Sequence, residues 1–536
     1  MKKLVCLFIS LILAFIVFGC VKTPESIKIN TSESEVSSGL NSGESQTQSE
    51  FTSDITSSGD ASANGSIVPG SSQNSINTPS GSNSKTGSSN TQTTSRSTNS
   101  TSNSSSSSNK YNVPSSLARN PLGTGLPSVY LTTANGWPIT SRTDYISGEC
   151  WIVGGTTSYS TLESGGGIQV RGRGNSSWEV YNKKSYRVKF DKKMEVLNIG
   201  AARDWTLIAS HSDKTLMRNF LAFSMAGSLS NLKFSPKAQF VDLFLNGEYM
   251  GLYTVGDQVE IGKDRVNISE ASGTDRGYLL EVDNRVYTEY QHTYFEGIDY
   301  FRSIFGHAYV FQGPSRTDIT QAQREFISDY VWKLENLIKA GSSNYKNYLN
   351  EDSFIDWLIM EELTKNVDSA FGMSVFMYKD KGGKINMGPL WDFDLAFGNA
   401  DYADMDKTYG WYIAGDHLYE LPDKYTLGAE WAKNLLKQPA FANKFISRWN
   451  TLKLNQLSKS KIFGYIDSSA NVIRSSWSKN MNKWKIMGHY VWPNPPGMVS
   501  ALTFDEQVNY LKSWIDLRWN WLDENINAKS WAKENI

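Results

Sequence analysis

QFVDLFLNGEYMGLYTV, residues 239–255, is the stretch that decides the fold class. Apolar and polar residues alternate on both sides of Asn246-Gly247, the dipeptide favoured in a type I′ turn, so the stretch predicts an antiparallel β-hairpin. Four earlier segments are short, rich in β-branched and aromatic residues, and bounded by Gly, Asn or Ser, which predicts strands. They are SVYLTT (128–133), GIQVRGRG (167–174), SYRVKF (185–190) and DWTLIAS (204–210).

A helix is predicted among these strands, and helices dominate the second half of the chain. The first helix is expected at DKTLMRNFLAFSMAGSL (213–229), with Asp213 as its cap. The later helices are predicted at 317–341, at 352–366 with Asp352 or Ser353 as the cap, and at 503–526. Strands at 374–380 and 384–392 form a second hairpin. The pattern predicts an α+β fold, β-rich first and helical later.

The first 20 residues, MKKLVCLFISLILAFIVFGC, have the charged start and apolar run of an export signal. The ending VFGC resembles a bacterial lipoprotein processing site, which implies lipidation of Cys20 and an extracellular protein anchored to the cell membrane by that lipid alone. Ordinary signal cleavage and an uncleaved anchor are the alternatives. Residues 21–113 are Ser, Thr, Asn and Gly with few large apolar side chains, which is typical of a disordered tether.

Composition excludes several classes of protein. The formal net charge is −1, which argues against a general nucleic-acid binder. Of the three cysteines, only Cys150 lies in the part expected to fold, so neither an internal disulfide nor a thiolate zinc site is expected there.

Two aspartates stand one residue apart between aromatic rings in GPLWDFDLAFGN, residues 388–399. Asp392 and Asp394 are either acids of an exposed turn, a calcium site or a magnesium site. Asp368 is expected just past the end of the helix at 352–366, and the following hairpin can return the chain to the same cleft. One acid could then accept a proton from a hydroxyl nucleophile while another holds Mg²⁺ on the transferring phosphates.

Cations for that chemistry are offered by the β-rich half. Arg171 and Arg173 alternate with Gly172 and Gly174, and glycine lets a backbone approach a phosphate closely. Lys184 and Lys189 follow in NKKSYRVKF. The alternatives are an ordinary tight turn and a solvated basic face.

Taken together, these segments resemble the CotH kinase family. They occur in the family's order across about residues 165–400. The matching segments are RGRGNSSW (171–178), KKSYRVKF (183–190), DWTLIASHSDKTLMRN (204–219), VDLFLNGEYMGLYTV (241–255), YLLEVD (278–283), MEELTKNVD (360–368), FMYKD (376–380) and GPLWDFDLAFGN.

The resemblance implies a divergent protein-kinase-like two-lobe fold. The β-rich lobe would cover about residues 114–312 and the helical lobe about 313–536. It also implies transfer of the ATP γ-phosphate to Ser or Thr hydroxyls of a protein at the cell surface or spore coat, with Mg²⁺, or Mn²⁺ as an alternative, as the metal.

Residue roles carry over by position. Asp368 matches the family's catalytic acid, Asp392 its metal-binding acid, and Asp394 a second metal ligand. Either Lys184 or Lys189 would contact phosphate. Arg171, Arg173 and Gly174 would approach the nucleotide.

The chain departs from ordinary protein kinases at several positions. Asn366 and Val367 precede Asp368, so there is no HRD triplet. Met373 stands where a metal-binding Asn is expected, and Ser374 is the nearest polar substitute. The acid partner of the lysine is either Glu260 or Glu281. These departures leave two alternatives to a kinase: a pseudokinase, and a structural or carbohydrate-binding surface module. Transfer to a non-protein acceptor such as a wall glycan is a third alternative.

Overall fold

The structure is a computed structural model that describes residues 112–155, 163–415, 419–420, 426–427 and 429–533. The predicted signal peptide, Cys20 and nearly all of the tether lie outside these ranges. Among the helices described, none has the length and apolar character needed to cross a bilayer.

Seven strands in the first half of the domain form a closed barrel with the order β1-β2-β3-β4-β5-β7-β6. Neighbours pair antiparallel except β1 and β6, which close the barrel in parallel. The strands are β1 Ser128–Thr133, β2 Ile146–Val153, β3 Ser164–Arg173, β4 Ser185–Glu195, β5 Ala201–Ile208, β6 Ala238–Leu245 and β7 Glu248–Asp257. Helix α1, Ser176–Val180, follows β3, and helix α2, Arg218–Gly227, follows β5.

The predicted hairpin at 239–255 is confirmed as β6 and β7. Leu245 pairs with Glu248, and both turn residues have positive φ, 50° at Asn246 and 85° at Gly247. This conformation matches the twist of the flanking strands and suits the Asn-Gly dipeptide. Alternate residues of the hairpin point into the barrel, where Val241 and Tyr253 are buried.

A second, antiparallel sheet has the order β12-β11-β8-β10-β9. Its strands are β8 Tyr278–Val282, β9 Tyr300–Arg302, β10 Ala308–Gly313, β11 Val375–Lys379 and β12 Ile385–Met387. β11 and β12 are the predicted second hairpin, and they lie in the half predicted to be helical. Because Val375 of β11 pairs with Val282 of β8, the sheet joins chain segments on both sides of residue 312.

Helices make up most of the remaining chain. In chain order they are α3 Gln321–Lys339, α4 Glu351–Thr364, α5 Glu430–Leu436, α6 Pro439–Leu452, α7 Lys459–Trp484, α8 Pro496–Ser500 and α9 Phe504–Ala528. Short 3-10 turns cover Ala134–Gly136, Asn284–Tyr287, Ser343–Asn347 and Ser530–Ala532, and the two-residue strands β13 (Tyr419–Glu420) and β14 (Thr426–Leu427) precede α5. The prediction of a mixed α+β fold, β-rich first and helical later, is confirmed.

Two predicted helix caps are wrong. Helix α4 is capped by Asn350, whose side chain accepts a hydrogen bond from the Asp352 amide at 3.2 Å. Helix α2 begins only at Arg218, five residues after Asp213. Asp213 nevertheless accepts from the Arg218 amide at 2.8 Å, so its carboxylate binds the helix start from a preceding turn.

The buried side chains form two large cores. One fills the barrel. The other contains the helices, most of the second sheet and the loop at 390–400. Helix α2, although it precedes residue 312, packs in this second core through Leu221 and Phe223. The predicted boundary between two lobes therefore stays a prediction. Helix α2 connects the barrel half of the chain to the acidic loop.

Candidate active site

Three predicted acids lie close together. Asp368 stands in the turn after α4, and Asp392 and Asp394 stand in the loop after β12. All three side chains are half-buried. Asp394 interacts with Asp392 through a side-chain hydrogen bond, and the charge of Asp368 acts on both of them. The hairpin β11–β12 thus returns the chain to where it left α4.

Burial and repulsion by Asp392 disfavour the charged forms of Asp368 and Asp394. Burial and then the charge of Asp392 raise the pKa of Asp368 to about 7, while Arg285 opposes the rise. Burial and then Asp392 also raise the pKa of Asp394 well above its ordinary value. A carboxyl with a pKa near neutrality can both accept and release a proton, as a general base must.

The acidic loop is irregular, and distant side chains hold its backbone. Asp392 has a φ of 65°, which is uncommon for a residue other than glycine. The Asn219 side chain of α2 accepts from the Phe393 amide at 2.7 Å, so it binds the loop between its two acids. On the far side, Asn399 donates to the Asp394 carbonyl at 2.6 Å.

A buried ion pair supports the same loop from α2. Arg218 and Asp213 are both fully buried and form a salt bridge. Arg218 Nε also donates to the Ala396 carbonyl at 3.1 Å. Three residues of the segment DKTLMRN thus support the acidic loop. Arg218 and Asn219 bind the loop backbone, and Asp213 pairs with Arg218. Sequence analysis quoted this segment for the family resemblance but assigned these residues no role in the site.

The turn that carries Asp368 is held from both sides. Lys365 ends α4 with a φ of 43°, and its ammonium donates to the carbonyls of Asp404, Lys407 and Tyr409 at 2.7, 3.2 and 3.1 Å. The Tyr412 hydroxyl donates to the Val367 carbonyl. These bonds fix the backbone immediately before the acid.

Arg173, at the end of β3, brings positive charge to the two acids of the loop, Asp392 and Asp394. Its guanidinium lies over the Trp391 ring at 5.0 Å, and Asp392 and Asp394 both act on it electrostatically. Burial lowers the pKa of Arg173, whereas those two acids raise it. No hydrogen bond or ion pair joins the guanidinium to another described residue. Its donors are therefore available to an anion.

The neighbouring residues of the Arg-Gly segment have structural partners. Arg171 donates to the Gly172 carbonyl at 3.0 Å and lies over the Tyr145 ring at 5.2 Å. A Cβ on Gly172 would meet the Trp178 ring at 2.3 Å, so this glycine makes room for an aromatic side chain. Gly174 has a φ of 111°, and a Cβ there would meet the Ser177 hydroxyl at 2.3 Å.

The predicted lysines lie apart from the acids in the interactions that the structure describes. The Lys184 ammonium donates to the Trp178 carbonyl and lies 5.4 Å from the centre of that ring. Lys189 is half-buried on the outer side of the barrel, between Gln169 and Asp204 on the adjacent strands. Lys183 is fully buried and donates to the carbonyls of Ala209 and Leu252.

A second acidic group, Glu281 and Asp283, lies next to the first. Of these two residues, only Glu281 was predicted from the sequence, as a candidate partner of the lysine. Asp283 follows β8 and binds Arg285 through two hydrogen bonds of 2.7 Å. Burial and the charge of Asp283 raise the pKa of Glu281 to about 8, and Asp392 raises it as well. Glu281 accepts from Gln312 at 2.6 Å, and Glu260 pairs with Arg265, so neither candidate has a lysine partner among the described residues. In the sequence, the segment YLLEVD, which ends at Asp283, is the signal that could have indicated this acidic group.

The carboxylates of the acidic loop fit a metal ion that needs few protein ligands. Within the described ranges, no three His, Cys, Asp or Glu side chains are arranged as ligands of one ion. Mg²⁺ keeps several waters and needs only one or two protein carboxylates, so Asp392 and Asp394 together fit it. Ser374, directly before β11, has a φ of 56° and no described contact with either acid.

The protein thus has an α+β fold in which two acids of one loop, Asp392 and Asp394, lie beside Arg173. The sequence model described as CotH kinase protein matches residues 170–522. Because this match spans well over half of the chain, the chain belongs to the CotH kinase family, and the resemblance drawn from its motifs is confirmed. The family implies a kinase-type enzyme with a protein kinase-like function. A search of curated proteins found no match.

Proposed function

We propose that this chain is an exported, surface-tethered protein kinase that transfers the γ-phosphate of ATP to Ser or Thr hydroxyls of surface or coat proteins. The observation that carries the proposal is the mutual proximity of Asp368, Asp392 and Asp394, with Arg173 beside the last two. Membership of the CotH kinase family supports the same reaction class.

Asp368 is our candidate for the general base. Its pKa of about 7 lets it orient an acceptor hydroxyl and take its proton as the oxygen attacks phosphorus. The charge of Asp392 keeps this pKa raised, and Arg285 limits the rise. In the apo site, the electrostatics therefore suit proton transfer near neutral pH.

Asp392 and Asp394 are our candidates for holding the magnesium of Mg-ATP. Magnesium-bound ATP supplies the phosphoryl group and neutralises part of its charge. The charge of Asp392 disfavours the charged form of Asp394, and a bound cation would offset this repulsion. The backbone between them is fixed by Asn219, which presets the spacing of the pair.

Arg173 is our candidate for the phosphate contact, in preference to Lys184 or Lys189. It lies within electrostatic range of both loop acids, and Trp391 supports its planar guanidinium from one side. A guanidinium presents several donors in a rigid fork that matches phosphate oxygens. Positive charge held in place there stabilises charge that develops during transfer.

The central experiment measures nucleotide binding and transfer separately. The chain from residue 21 onward is titrated calorimetrically with ATP, with and without Mg²⁺, beside Asp392→Asn. The same proteins are then incubated with γ-labelled ATP and a surface-protein extract, with Asp368→Asn as the control. We expect magnesium-dependent binding that Asp392→Asn loses, and labelling that Asp368→Asn loses. Undiminished labelling by Asp368→Asn would contradict the assignment of the base.

A nucleotide-binding pseudokinase is the second candidate. Two observations favour it: Met373 replaces a polar metal ligand, and no described lysine reaches the acids. Magnesium-dependent ATP binding without label transfer to any protein would support this candidate.

Export and anchoring form a separate part of the proposal. They rest on residues 1–20 and on Cys20. Expression in a bacterial host with a radiolabelled fatty acid should label the chain, and Cys20→Ala should not be labelled. Equal labelling of both would contradict lipidation at Cys20.

A further inference from the structure

Two neighbouring glutamates end helix α4, and their surroundings differ. Both Glu361 and Glu362 are buried. Glu362 accepts from the amides of Tyr412 and Ala414 at 3.0 and 2.7 Å and pairs with the buried Arg518 at 2.9 Å. No cation among the described residues pairs with Glu361. A buried carboxylate without a counter-charge is costly, so a carboxyl in this position favours its neutral form.

Two buried oxygens near Asp368 lack hydrogen-bond partners among the described residues. They are Oε2 of Glu361 and Oδ1 of Asn366. The Glu361 carboxyl lies within hydrogen-bonding reach of the Asn366 and Ser369 side chains. Asn366 Nδ2 faces the Trp391 carbonyl at 3.5 Å, which leaves its oxygen to face another group. Two acceptors cannot satisfy each other, but a protonated carboxyl supplies the missing donor.

We propose that Glu361 is a positioning residue that carries a proton in the folded protein and donates it to the Asn366 amide oxygen. Asn366 and Ser369 flank Asp368, and the Ser369 hydroxyl donates to the Asn366 carbonyl at 2.7 Å. The proton of Glu361 thus ties α4 to the turn that carries the base. The assignment of a positioning role rests on the proposed kinase function, whereas the protonation of Glu361 does not.

The electrostatic surroundings agree with this geometry. The charged groups that face Glu361 are Asp368 from the turn and Glu362 from its own helix, and both are acidic. Burial first, and these two charges in addition, raise the pKa of Glu361 to about 8. Asn366 and Ser369 lower it, but they bring no charge.

The kinetic experiment compares three variants in the full-length protein. Glu361→Ala removes the donor, Glu361→Gln keeps a neutral donor of the same shape, and Glu362→Gln is the matched control on the adjacent residue. For Glu361→Ala we expect kcat to fall at least about tenfold with KM for ATP unchanged, because only the base is displaced. Glu361→Gln should recover most of the lost kcat. A Glu361→Gln variant as slow as Glu361→Ala would overturn the proposal, because the carboxyl would then act in its charged form.

The stability experiment tests protonation without any need for catalysis. A carboxyl whose pKa is higher in the folded than in the unfolded state stabilises the fold at low pH, and the contribution is lost as pH rises from about 4.5 to about 8. The urea midpoint of the wild type should therefore fall relative to that of Glu361→Gln over this range. A constant difference would overturn the proposal. Glu362→Gln should lower the midpoint at all these pH values, because it leaves Arg518 buried without its partner.

Infrared spectroscopy separates the two proposals. At pH 6 the difference spectrum between the wild type and Glu361→Gln should show the carbonyl stretch of one protonated carboxyl, because the other carboxyls with raised pKa values, such as Asp368 and Glu335, absorb equally in both proteins. If that band is present and no phosphate is transferred, the kinase proposal fails and the protonation of Glu361 stands. If phosphate is transferred and the band is absent, the reverse holds.

Discussion

The hairpin β6–β7 and the acidic loop at 388–399 are stabilised in opposite ways. The hairpin pairs with itself through a two-residue turn, so paired residues are at most 18 positions apart. The acidic loop is held by Asn219 and Arg218, which lie 174 and 178 residues away from the atoms that they bind. The hairpin follows from local pattern, whereas the loop requires the rest of the fold to be in place. A functional site built this way can hold charges and backbone angles that a local pattern would not support.

The largest expected effect is on kcat, and it tests whether the turn that carries Asp368 acts in catalysis. Asp368→Asn should lower kcat by about 10²- to 10⁴-fold, about 3–5 kcal/mol, because a positioned base contributes that much. Its free energy of unfolding should not fall, since the change removes a carboxyl whose charged form is already disfavoured by its surroundings. Activity is measured with labelled ATP and stability by urea titration. Asp401→Asn, on an exposed residue, is the control and should keep its rate. A loss of stability in Asp368→Asn would indicate a structural role instead.

Removing Arg218, which supports the loop from a distant part of the chain, should have an effect of similar size. This effect is on the free energy of unfolding and not on the rate. Arg218→Met leaves Asp213 buried without its partner, which should lower the free energy of unfolding by about 3–5 kcal/mol. Arg474→Met removes a solvent-exposed pair with Asp505 and should cost less than about 1 kcal/mol. Denaturant unfolding of both variants gives the comparison. Equal losses would show that the buried pair is not a special support.

Glu335, a buried glutamate of helix α3, should make the free energy of unfolding depend on pH. Burial raises the pKa of Glu335 to about 7, although Trp431, Tyr309 and the Ile304 amide donate to it. Because the folded state binds this proton more tightly, its contribution is full below about pH 4.5 and is lost as pH rises to about 7. The loss should amount to about 3 kcal/mol. Glu335→Gln should remove this part of the pH dependence, as measured by urea unfolding between pH 4.5 and 8; an unchanged slope would contradict the shift.

A single hydrogen bond to the acidic loop should have a moderate effect. Asn219→Ala leaves the buried Phe393 amide without an acceptor, which should lower stability by about 1–3 kcal/mol. Because the spacing of Asp392 and Asp394 then loosens, binding of Mg-ATP should weaken as well. Calorimetry and urea titration measure the two effects. Asn443→Ala, on an exposed residue, should change neither by more than the error. Full Mg-ATP affinity in Asn219→Ala would show that the loop keeps its shape by itself.

The smallest expected effect is in the hairpin. Gly247→Ala places a Cβ at a φ of 85°, and should cost about 1 kcal/mol with activity intact. Gly464→Ala in helix α7, where nothing lies within 4 Å of the added Cβ, should instead stabilise by about 0.5–1 kcal/mol. Opposite signs in thermal or urea unfolding would show that the turn needs glycine for its backbone angle. A loss of kinase activity in Gly247→Ala would mean that the hairpin and the site are coupled.

Prediction from sequence succeeded where neighbouring residues carry the information. Except for β2, which was not predicted, the barrel strands follow from periodicity and turn dipeptides, as do the hairpin and helices α3 and α9. Thr320 and Thr503 cap those two helices in capping boxes. It failed at the caps of α2 and α4. In α2, the buried pair of Asp213 with Arg218 competes with simple capping. Lys184 was a candidate for the phosphate contact by its position in the sequence. In the structure its ammonium donates to the Trp178 carbonyl and lies over the Trp178 ring.

The amino-acid sequence by itself determined the α+β class, many of the strands, several of the helices, the family and the acids Asp368, Asp392 and Asp394 as candidates. Only the tertiary structure decided that the acids meet, that Arg173 stands beside them, and that Asn219 and Arg218 hold the loop. The physical reason is range. Strand alternation and turn angles depend on adjacent residues. Desolvation, charge coupling and the pairing of buried polar groups depend on neighbours that only folding brings together.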